Sequence, residues 1–308
     1  MIISASRRTD IPSLYGEWMA NRLAAGEAVI PNPYNTHRAT RLIFSPETVD
    51  CIVFWTKNPI PFEQYLSRIE ALGYEQYYFQ YTLTAFGSVL EPGLPPIPER
   101  VEAFRRLSKR LGPERVDWRF DPIILDDERT PAWYAKEFER LCETLAEHTT
   151  RCILSFVDHY VHLGKAFGEA SEAAMKETAG LLAPIAERYG LPLFTCAEVC
   201  DLSAYGIRHA ACVDREKVES LLGCGLNVKK DHGQRPACGC VESTDIGVYN
   251  TCVNGCAYCY ATKSRRAARQ HFAAHDPAAP MLTGPMPMGM VSTEKRAASC
   301  QEEQMKLL

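Results

Sequence analysis

The chain has 308 residues, of which 46% are hydrophobic and 23% are charged, as in soluble globular proteins with a sizeable core. Its 34 basic and 38 acidic side chains give a net charge of −4 at pH 7, so any affinity for nucleic acid or anionic membranes needs a local patch. The N-terminal segment lacks the charged-then-apolar order of a signal peptide, and no apolar stretch approaches the ~18–20 residues of a membrane span. We therefore expect a cytoplasmic protein that does not enter a membrane.

Short apolar runs alternate with segments of helical periodicity along most of the chain. The predicted strands cover residues 2–6, 51–56, 77–82, 116–121, 152–157, 192–197 and 246–250. The predicted helices cover residues 61–72, 97–111, 131–147, 170–189 and 215–222. Such alternation predicts a parallel sheet with helical crossovers, and seven strands over about 250 residues favour a full or partial (β/α) barrel. No glycine-rich dinucleotide fingerprint follows an early strand, which argues against a Rossmann fold.

The last segment has a different composition. Residues 277–290 mix proline, glycine and methionine without periodicity, and residues 292–308 are mainly polar. We therefore expect one (β/α) barrel-like domain over residues 1–276, which includes a cysteine-rich loop at 252–259. For residues 277–308 we expect a tail that is either poorly ordered or extended along the barrel.

Thirteen cysteines are a high and odd number, and in a reducing compartment clustered cysteines indicate metal binding or catalysis rather than disulfides. Cys252, Cys256 and Cys259, here called the triplet, have the spacing C-x3-C-x2-C. Random placement would give roughly 0.02 such patterns per chain. Gly255 eases the turn between the cysteines. Three thiolates on a four-iron cluster leave one iron open to a small ligand.

Other interpretations of the triplet stay open at this point. Three thiolates with Cys238 or Cys240 could form a closed zinc site. The cysteines could also pack as small hydrophobic side chains, although the small and polar residues between them make a poor core segment. A third alternative is an iron–sulfur protein that only transfers electrons.

The triplet, with Tyr258 directly before its third cysteine, resembles the signature of radical S-adenosylmethionine (SAM) enzymes. The resemblance implies a [4Fe–4S] cluster in a (β/α) barrel, with SAM bound to the open iron and cleaved to a 5′-deoxyadenosyl radical. In that superfamily the motif usually lies near the N-terminus, whereas here it follows the predicted strand at 246–250. If that strand pairs with the strand at 2–6, the barrel is a circular permutation of the usual order. Arg7 and Arg8 would then lie close to the cluster.

The whole chain is also similar to an uncharacterised bacterial family, catalogued as domain of unknown function 1848, whose cysteine cluster lies toward the C-terminus. The similarity is carried by SASRRTDIP at 4–12, FWTKNP at 54–59, RFDP at 119–122 and DIGVYNTC at 245–252. These segments span nearly the full length. The resemblance supports the predicted cofactor. It leaves the reaction open, because the family has no established substrate.

A second group of cysteines precedes the triplet. Cys238 and Cys240 form a C-x-C pair, and Cys224 lies a little further back. A C-x-C pair presents two sulfurs at close range, so these three cysteines could contribute to an auxiliary cluster, a zinc ion or a substrate site. The alternative is a set of reduced loop thiols, because two or three cysteines do not complete a site alone.

Polar residues end several of the predicted strands, where barrel active sites form. An arginine fork suits the carboxylate of SAM, and an acidic side chain suits its ribose hydroxyls. Alternation along the strand places Arg119 and Asp121 on the same face. An internal ion pair between these two residues is the alternative to ligand binding. Together with the aromatic residue of the triplet motif, the predicted cofactor-binding residues are Arg7, Arg8, Arg119, Asp121, Glu198 and Tyr258.

A local basic cluster flanks the triplet in the sequence. Its members are Lys229, Lys230, Arg265, Arg266 and Arg269. It could attract an acidic electron donor of the flavodoxin or ferredoxin type, or a nucleic acid, although such charges are more often a solvated helix face. The predicted function is a radical SAM enzyme whose substrate, small or macromolecular, the sequence does not name, and no catalytic residue is assigned. The alternative is a non-enzymatic zinc or iron–sulfur protein that uses the triplet with Cys238 or Cys240.

Overall fold

The computed structural model describes residues 1–163 and 167–302, in which strands and helices alternate. The strands are β1 (Ile2–Ala5), β2 (Glu27–Asn32), β3 (Asn35–Ile43), β4 (Cys51–Thr56), β5 (Tyr77–Thr82), β6 (Val116–Ile123), β7 (Cys152–Phe156), β8 (Leu193–Thr195), β9 (Arg208–His209), β10 (Thr244–Asp245) and β11 (Val291–Arg296). The helices are α1 (Ile11–Leu14), α2 (Gly16–Ala25), α3 (Leu66–Ala71), α4 (Ile97–Leu111), α5 (Pro131–Leu145), α6 (Glu172–Arg188), α7 (Arg215–Leu222) and α8 (Arg265–Ala273).

Eight of these strands form one parallel sheet in the order β10-β1-β4-β5-β6-β7-β8-β9. Helices connect the successive strands from β4 to β8, because parallel neighbours need a crossover that returns the chain to the same end of the sheet. The prediction of a mixed α/β fold on parallel strands is therefore confirmed. β9 and β10 are the two edges of the sheet, which makes it a partial barrel.

The last strand of this sheet lies beside the first, as predicted, but it is shorter and earlier than expected. β10 pairs in parallel with β1, with Ile3 opposite Thr244. The predicted strand at 246–250 is wrong because the chain leaves the sheet at Gly247. A side-chain carbon at Gly247 would lie only 2.0 Å from Oγ of Ser6, so the backbone approaches the end of β1 more closely than an extended strand with side chains could.

Aromatic side chains hold the helices against one face of the sheet. Phe104 of α4 packs on Tyr81 with ring centres 5.0 Å apart. Phe138 of α5 stacks on Trp118 at 5.2 Å. Burying side chains of this size stabilises the fold by roughly 1.5–3 kcal/mol each. Among the described residues, no helix is both long enough and apolar enough to cross a membrane.

The opposite face of the sheet is concave and is covered by a segment of the same chain. Val53 and Tyr78 on this face share a second apolar cluster with Val218 of α7. The covering segment is also held by charge, because buried Asp117 on the sheet is paired with Lys217 of α7. Residues 211–241 therefore cover the face of the sheet that lies opposite the aromatic contacts with α4 and α5.

A small second sheet, not predicted from the sequence, binds the C-terminal segment. β2 and β3 are antiparallel, and β11 adds to β3 in parallel. The segment before β11 lies along α2, where Nε1 of Trp18 donates to the carbonyl of Ala279 at 3.0 Å. The segment after β11 reaches Asp50, which accepts from the backbone N–H of Cys300 at 2.8 Å. The tail is thus extended along the domain through residue 302, and the rest of the predicted tail, 303–308, lies outside the described residues.

Candidate functional site

The triplet loop lies beside the C-terminal ends of the parallel strands. Its backbone bonds to the loop that follows β5: Gly93 N donates to Asn254 O at 2.9 Å, and Ala257 N donates to Leu90 O at 2.8 Å. A side-chain carbon at Gly93 would lie 2.5 Å from Asn254 O, so this close approach requires glycine. Gly255 has a φ of +71°, in the region that favours glycine, as the turn between the cysteines predicts.

The base of the loop is fixed before and after the cysteines. Tyr15 donates its hydroxyl proton to the carbonyl of Thr251 at 2.7 Å. Asn250, whose φ is 57°, accepts at its side-chain oxygen from the backbone N–H of Ser264 at 2.9 Å. Ser264 in turn caps the N-terminus of α8. The loop is therefore a fixed turn between β10 and α8.

The three thiols of the triplet lie within electrostatic reach of one another. Burial raises the pKa of Cys252 well above its usual range, and Asp10, Cys259 and Cys256 act in the same direction. Burial also raises the pKa of Cys256 to about 12, although Lys57 opposes this rise. At neutral pH the thiols of Cys252 and Cys256 therefore keep their protons, and a cationic centre beside them would convert them to thiolates.

A buried charge network supports the triplet. Glu91 is fully buried and accepts from Lys57 at 3.0 Å and from Arg100 at 2.9 Å. Burial raises the pKa of Glu91, but Lys57 and Arg100 together outweigh burial and hold it below its usual range. The hydroxyl of Tyr258 also donates to Glu91. No sequence pattern indicated Glu91 as a site residue, because it lies in a loop without periodicity.

Tyr258, a predicted cofactor-binding residue, is buried in this network. Its ring packs against Phe86 at 5.5 Å, and Nζ of Lys57 lies 5.3 Å from its ring centre. Tyr258 thus forms part of the wall beside the triplet, with its hydroxyl engaged by Glu91.

Four other cysteines meet at a separate place. They are Cys196, Cys212, Cys238 and Cys240, here called the tetrad. The Sγ atoms of Cys196 and Cys212 are 2.9 Å apart, and Cys240 lies next to Cys212 and Cys238. These neighbouring thiols hold the pKa of Cys240 far below its ordinary range, and Arg7 acts in the same direction. Cys196 and Cys212 had no spacing signal in the sequence, since β8 and β9 bring them together.

The tetrad changes the grouping expected from the sequence. Cys238 and Cys240, considered as a fourth ligand of the triplet, bond instead within the tetrad. Cys224, expected near them, lies apart, and its Sγ contacts Oε1 of Gln301 at 3.5 Å. Among the described residues, no group of three or more His, Cys, Asp or Glu side chains already has the spacing of a single-ion site.

Two predicted cofactor-binding arginines point toward the tetrad. Nη1 of Arg119 lies 2.6 Å from Sγ of Cys212, and Arg119 is also paired with Asp121, as in the ion-pair alternative considered from the sequence. The Arg7 side chain lies near Cys240; burial lowers the pKa of Arg7, but this thiol raises it. Only the backbone of Arg7 reaches the triplet loop, because its carbonyl accepts from the hydroxyl of Tyr260.

The remaining predicted residues, Arg8 and Glu198, lie just after the C-terminal ends of β1 and β8. The guanidinium of Arg8 is 5.2 Å from the ring centre of Tyr249, and Nη1 of Arg8 is 3.5 Å from the carbonyl of Gly247. Glu198 accepts from the backbone N–H of Phe156 at 2.8 Å. Burial raises the pKa of Glu198 even though this hydrogen bond lowers it.

The basic residues of α8 lie on the surface next to the triplet loop. Nη2 of Arg265 donates to the carbonyl of Gly255 at 3.2 Å. Arg266 and Arg269 on the same helix are exposed. Lys229 and Lys230 are also exposed, and Nζ of Lys230 donates to Pro236 O at 2.8 Å. A positive surface therefore begins at the loop that carries the triplet.

Comparison with known proteins gives a family but no activity. The model of a family described as domain of unknown function (DUF1848) matches residues 2–261, a range that contains both the triplet and the tetrad. No curated protein matches the chain. One similar solved structure is a "putative alpha-L-fucosidase" from Bacteroides thetaiotaomicron, with 13% identity and a TM-score of 0.26. The match covers 48% of this chain and 64% of the fucosidase chain, and a likeness this weak carries no functional argument.

Proposed function

We propose that this chain, which belongs to the DUF1848 family, is a radical SAM enzyme whose [4Fe–4S] cluster is held by Cys252, Cys256 and Cys259. The observation that carries the proposal is that the three thiols lie on one fixed turn, within electrostatic reach of one another. This turn lies beside the C-terminal ends of parallel strands, where barrel folds place their active sites.

The donor set fits a cluster with one open iron. Three cysteine ligands leave one iron of a [4Fe–4S] cluster without a protein ligand. A closed zinc site would need a fourth ligand, and the cysteines considered for that role, Cys238 and Cys240, are bonded within the tetrad. This separation favours the cluster over zinc at the triplet.

When bound and reduced, such a cluster supplies an electron that cleaves SAM and yields a 5′-deoxyadenosyl radical. The protein contributes charge and position around it. Lys57 opposes the rise in the pKa of Cys256 and so favours the thiolate that binds iron. Glu91 holds the Lys57 ammonium at 3.0 Å, and the Lys57 backbone N–H donates to Asp10 at 2.8 Å. Lys57 is thus fixed at both its backbone and its side chain.

Glu198 and Arg8 are the predicted residues best situated for polar contacts with SAM or substrate. Both are on loops at the strand ends, and neither is bonded within the tetrad. An acidic group suits ribose hydroxyls, and a guanidinium suits a carboxylate through paired hydrogen bonds. We assign them these binding roles and assign no catalytic residue.

The electron would come from an acidic donor that docks on α8. Arg265 contacts the triplet loop directly, and Arg266 and Arg269 extend the positive surface outward. Opposite charge on a donor accelerates encounter at low salt. A flavodoxin- or ferredoxin-type protein has this chemistry and is the proposed partner.

Anaerobic purification followed by a SAM-cleavage assay tests the function. The expected chain is brown, contains about four irons at the triplet, is bleached by dithionite, and releases 5′-deoxyadenosine from SAM. Cys256→Ala should abolish the release. Cys200→Ala, which removes a thiol outside both cysteine groups, should not. A reduced cluster that yields no 5′-deoxyadenosine would leave an electron-transfer protein, and zinc bound at the triplet would exclude the cluster.

A further inference from the structure

We propose that Cys196, Cys212, Cys238 and Cys240 bind a single zinc ion, separate from the triplet and independent of the proposed radical chemistry. The four thiols come from three places in the chain: the end of β8, the segment after β9, and the segment before β10. Four thiolates from separate segments make a closed, structural type of zinc site. The number of sulfurs therefore matches the coordination number that zinc prefers.

The sulfur spacing favours a single ion. At 2.9 Å, the sulfurs of Cys196 and Cys212 are too far apart for a disulfide of about 2.05 Å and closer than unbonded thiols normally approach. Zinc–sulfur bonds of about 2.3 Å in a tetrahedron set the sulfurs roughly 3.8 Å apart. Binding of zinc would therefore move the sulfurs of Cys196 and Cys212 apart by about 1 Å. A four-iron cluster would separate its ligand sulfurs much further, because irons and sulfides lie between them.

The surroundings of the tetrad suit thiolates. Cys212, Cys238 and Cys240 are buried, so their ionised forms would be costly without a cation. Nη1 of Arg119 is 2.6 Å from Cys212, and the backbone N–H of Val213 donates to Cys240 at 3.3 Å. Four thiolates around Zn²⁺ leave two negative charges. The guanidinium groups of Arg119, which also pairs with Asp121, and of Arg7, which also lies near Asp231, are in position to offset part of this charge.

The position of the tetrad indicates what zinc would do. Cys212, Cys238 and Cys240 belong to the apolar cluster through which residues 211–241 pack on the sheet. No helix or strand is present between α7 and β10 in this part of the described chain. Zinc would therefore fasten an irregular covering segment to the end of β8. It would also fix Arg7, whose backbone supports the triplet loop through Tyr260.

Metal analysis of the full-length chain, expressed with both iron and zinc in the medium, tests this site. The expected content is about one zinc per chain, in addition to any iron. Cys256→Ala should keep the zinc while losing iron. Cys212→Ser should lose most of the zinc, whereas Cys224→Ser, whose thiol lies outside the tetrad, should keep it. About eight irons without zinc would overturn the proposal in favour of a second cluster.

A second measurement covers the case in which Cys212→Ser does not fold. Cobalt can replace zinc in the Cys256→Ala chain, where the triplet cannot hold a cluster. The expected spectrum has the intense thiolate-to-cobalt absorption of a tetrahedral four-sulfur site, and Cys238→Ser, which removes one of the four ligands, should lose most of it. Absence of this absorption, or four tetrad thiols that all react with a thiol reagent in the folded, metal-replete chain, would overturn the zinc site.

Discussion

The Nζ atom of Lys57 lies 3.0 Å from Oε1 of Glu91, so a residue just after β4 is joined to a loop residue after β5 beneath the triplet. Arg100 of α4 pairs with the other oxygen of Glu91 at 2.9 Å. The two cations share one fully buried carboxylate. The residues that would support the proposed cluster therefore also stabilise the fold.

Glu91→Gln should destabilise the chain strongly. The substitution leaves Arg100, whose side chain is 2% exposed, without its counter-charge, and removing one partner of a buried pair costs about 3–5 kcal/mol. The measurement is the free energy of unfolding in urea at pH 7. Glu63→Gln breaks the surface pair with Arg106 and serves as the matched control, with an expected cost of about 0.2–1 kcal/mol. Equal losses in the two variants would contradict a buried network.

The stabilisation from Glu91 should disappear in acid. The pKa of this carboxyl is lower in the folded chain than its ordinary value of 4.5. Its stabilising effect is therefore fully present above pH 4.5 and is lost as the pH falls through the folded-state pKa. The difference in unfolding free energy between the parent chain and Glu91→Gln should shrink over that range, with both compared in the same metal state. A constant difference from pH 7 to pH 3 would show that ionisation of Glu91 is not responsible.

Gly93→Ala should displace the triplet loop. The added carbon would meet the backbone of Asn254 at 2.5 Å, and a backbone atom cannot move aside as a flexible side chain can. We expect a loss of stability of about 1–3 kcal/mol and a lower iron content after reconstitution. Gly87→Ala is the control in the same connection, because nothing lies within 4 Å of its added carbon. Normal iron retention in Gly93→Ala would mean that the loop tolerates the displacement.

The double variant Arg266→Gln/Arg269→Gln should slow reduction by a flavodoxin-type donor and weaken its dependence on salt. The reason is that both arginines are exposed on α8 beside the triplet loop, and electrostatic attraction chiefly affects the encounter rate. Reduction by dithionite should be unchanged. Arg105→Gln/Lys109→Gln removes two charges from α4 and should leave the rate with the protein donor unaltered. If both double variants slow reduction equally, the donor does not dock on α8.

Local pattern was enough to predict six of the seven expected strands and the faces on which their side chains lie. Trp118 and Phe120 pack under the helices, while Arg119 points to the concave face, because neighbouring side chains of a strand alternate between faces. The strand expected at 246–250 failed for a non-local reason: Gly247 approaches Ser6 across the sheet. The small second sheet was also missed, since β11 is exposed along its whole length and has no apolar pattern.

The sequence by itself determined the triplet, because its three thiols are close along the chain and a short turn is enough to bring them together. Only the tertiary structure determined the tetrad and the partners of Glu91. Cys196 meets Cys212 through the pairing of β8 with β9. Cys224 does not belong to the tetrad, although it is nearer to Cys238 in the sequence than Cys196 and Cys212 are. Side chains that meet across separate strands and loops leave no fixed spacing, so folding alone decides which of them become neighbours.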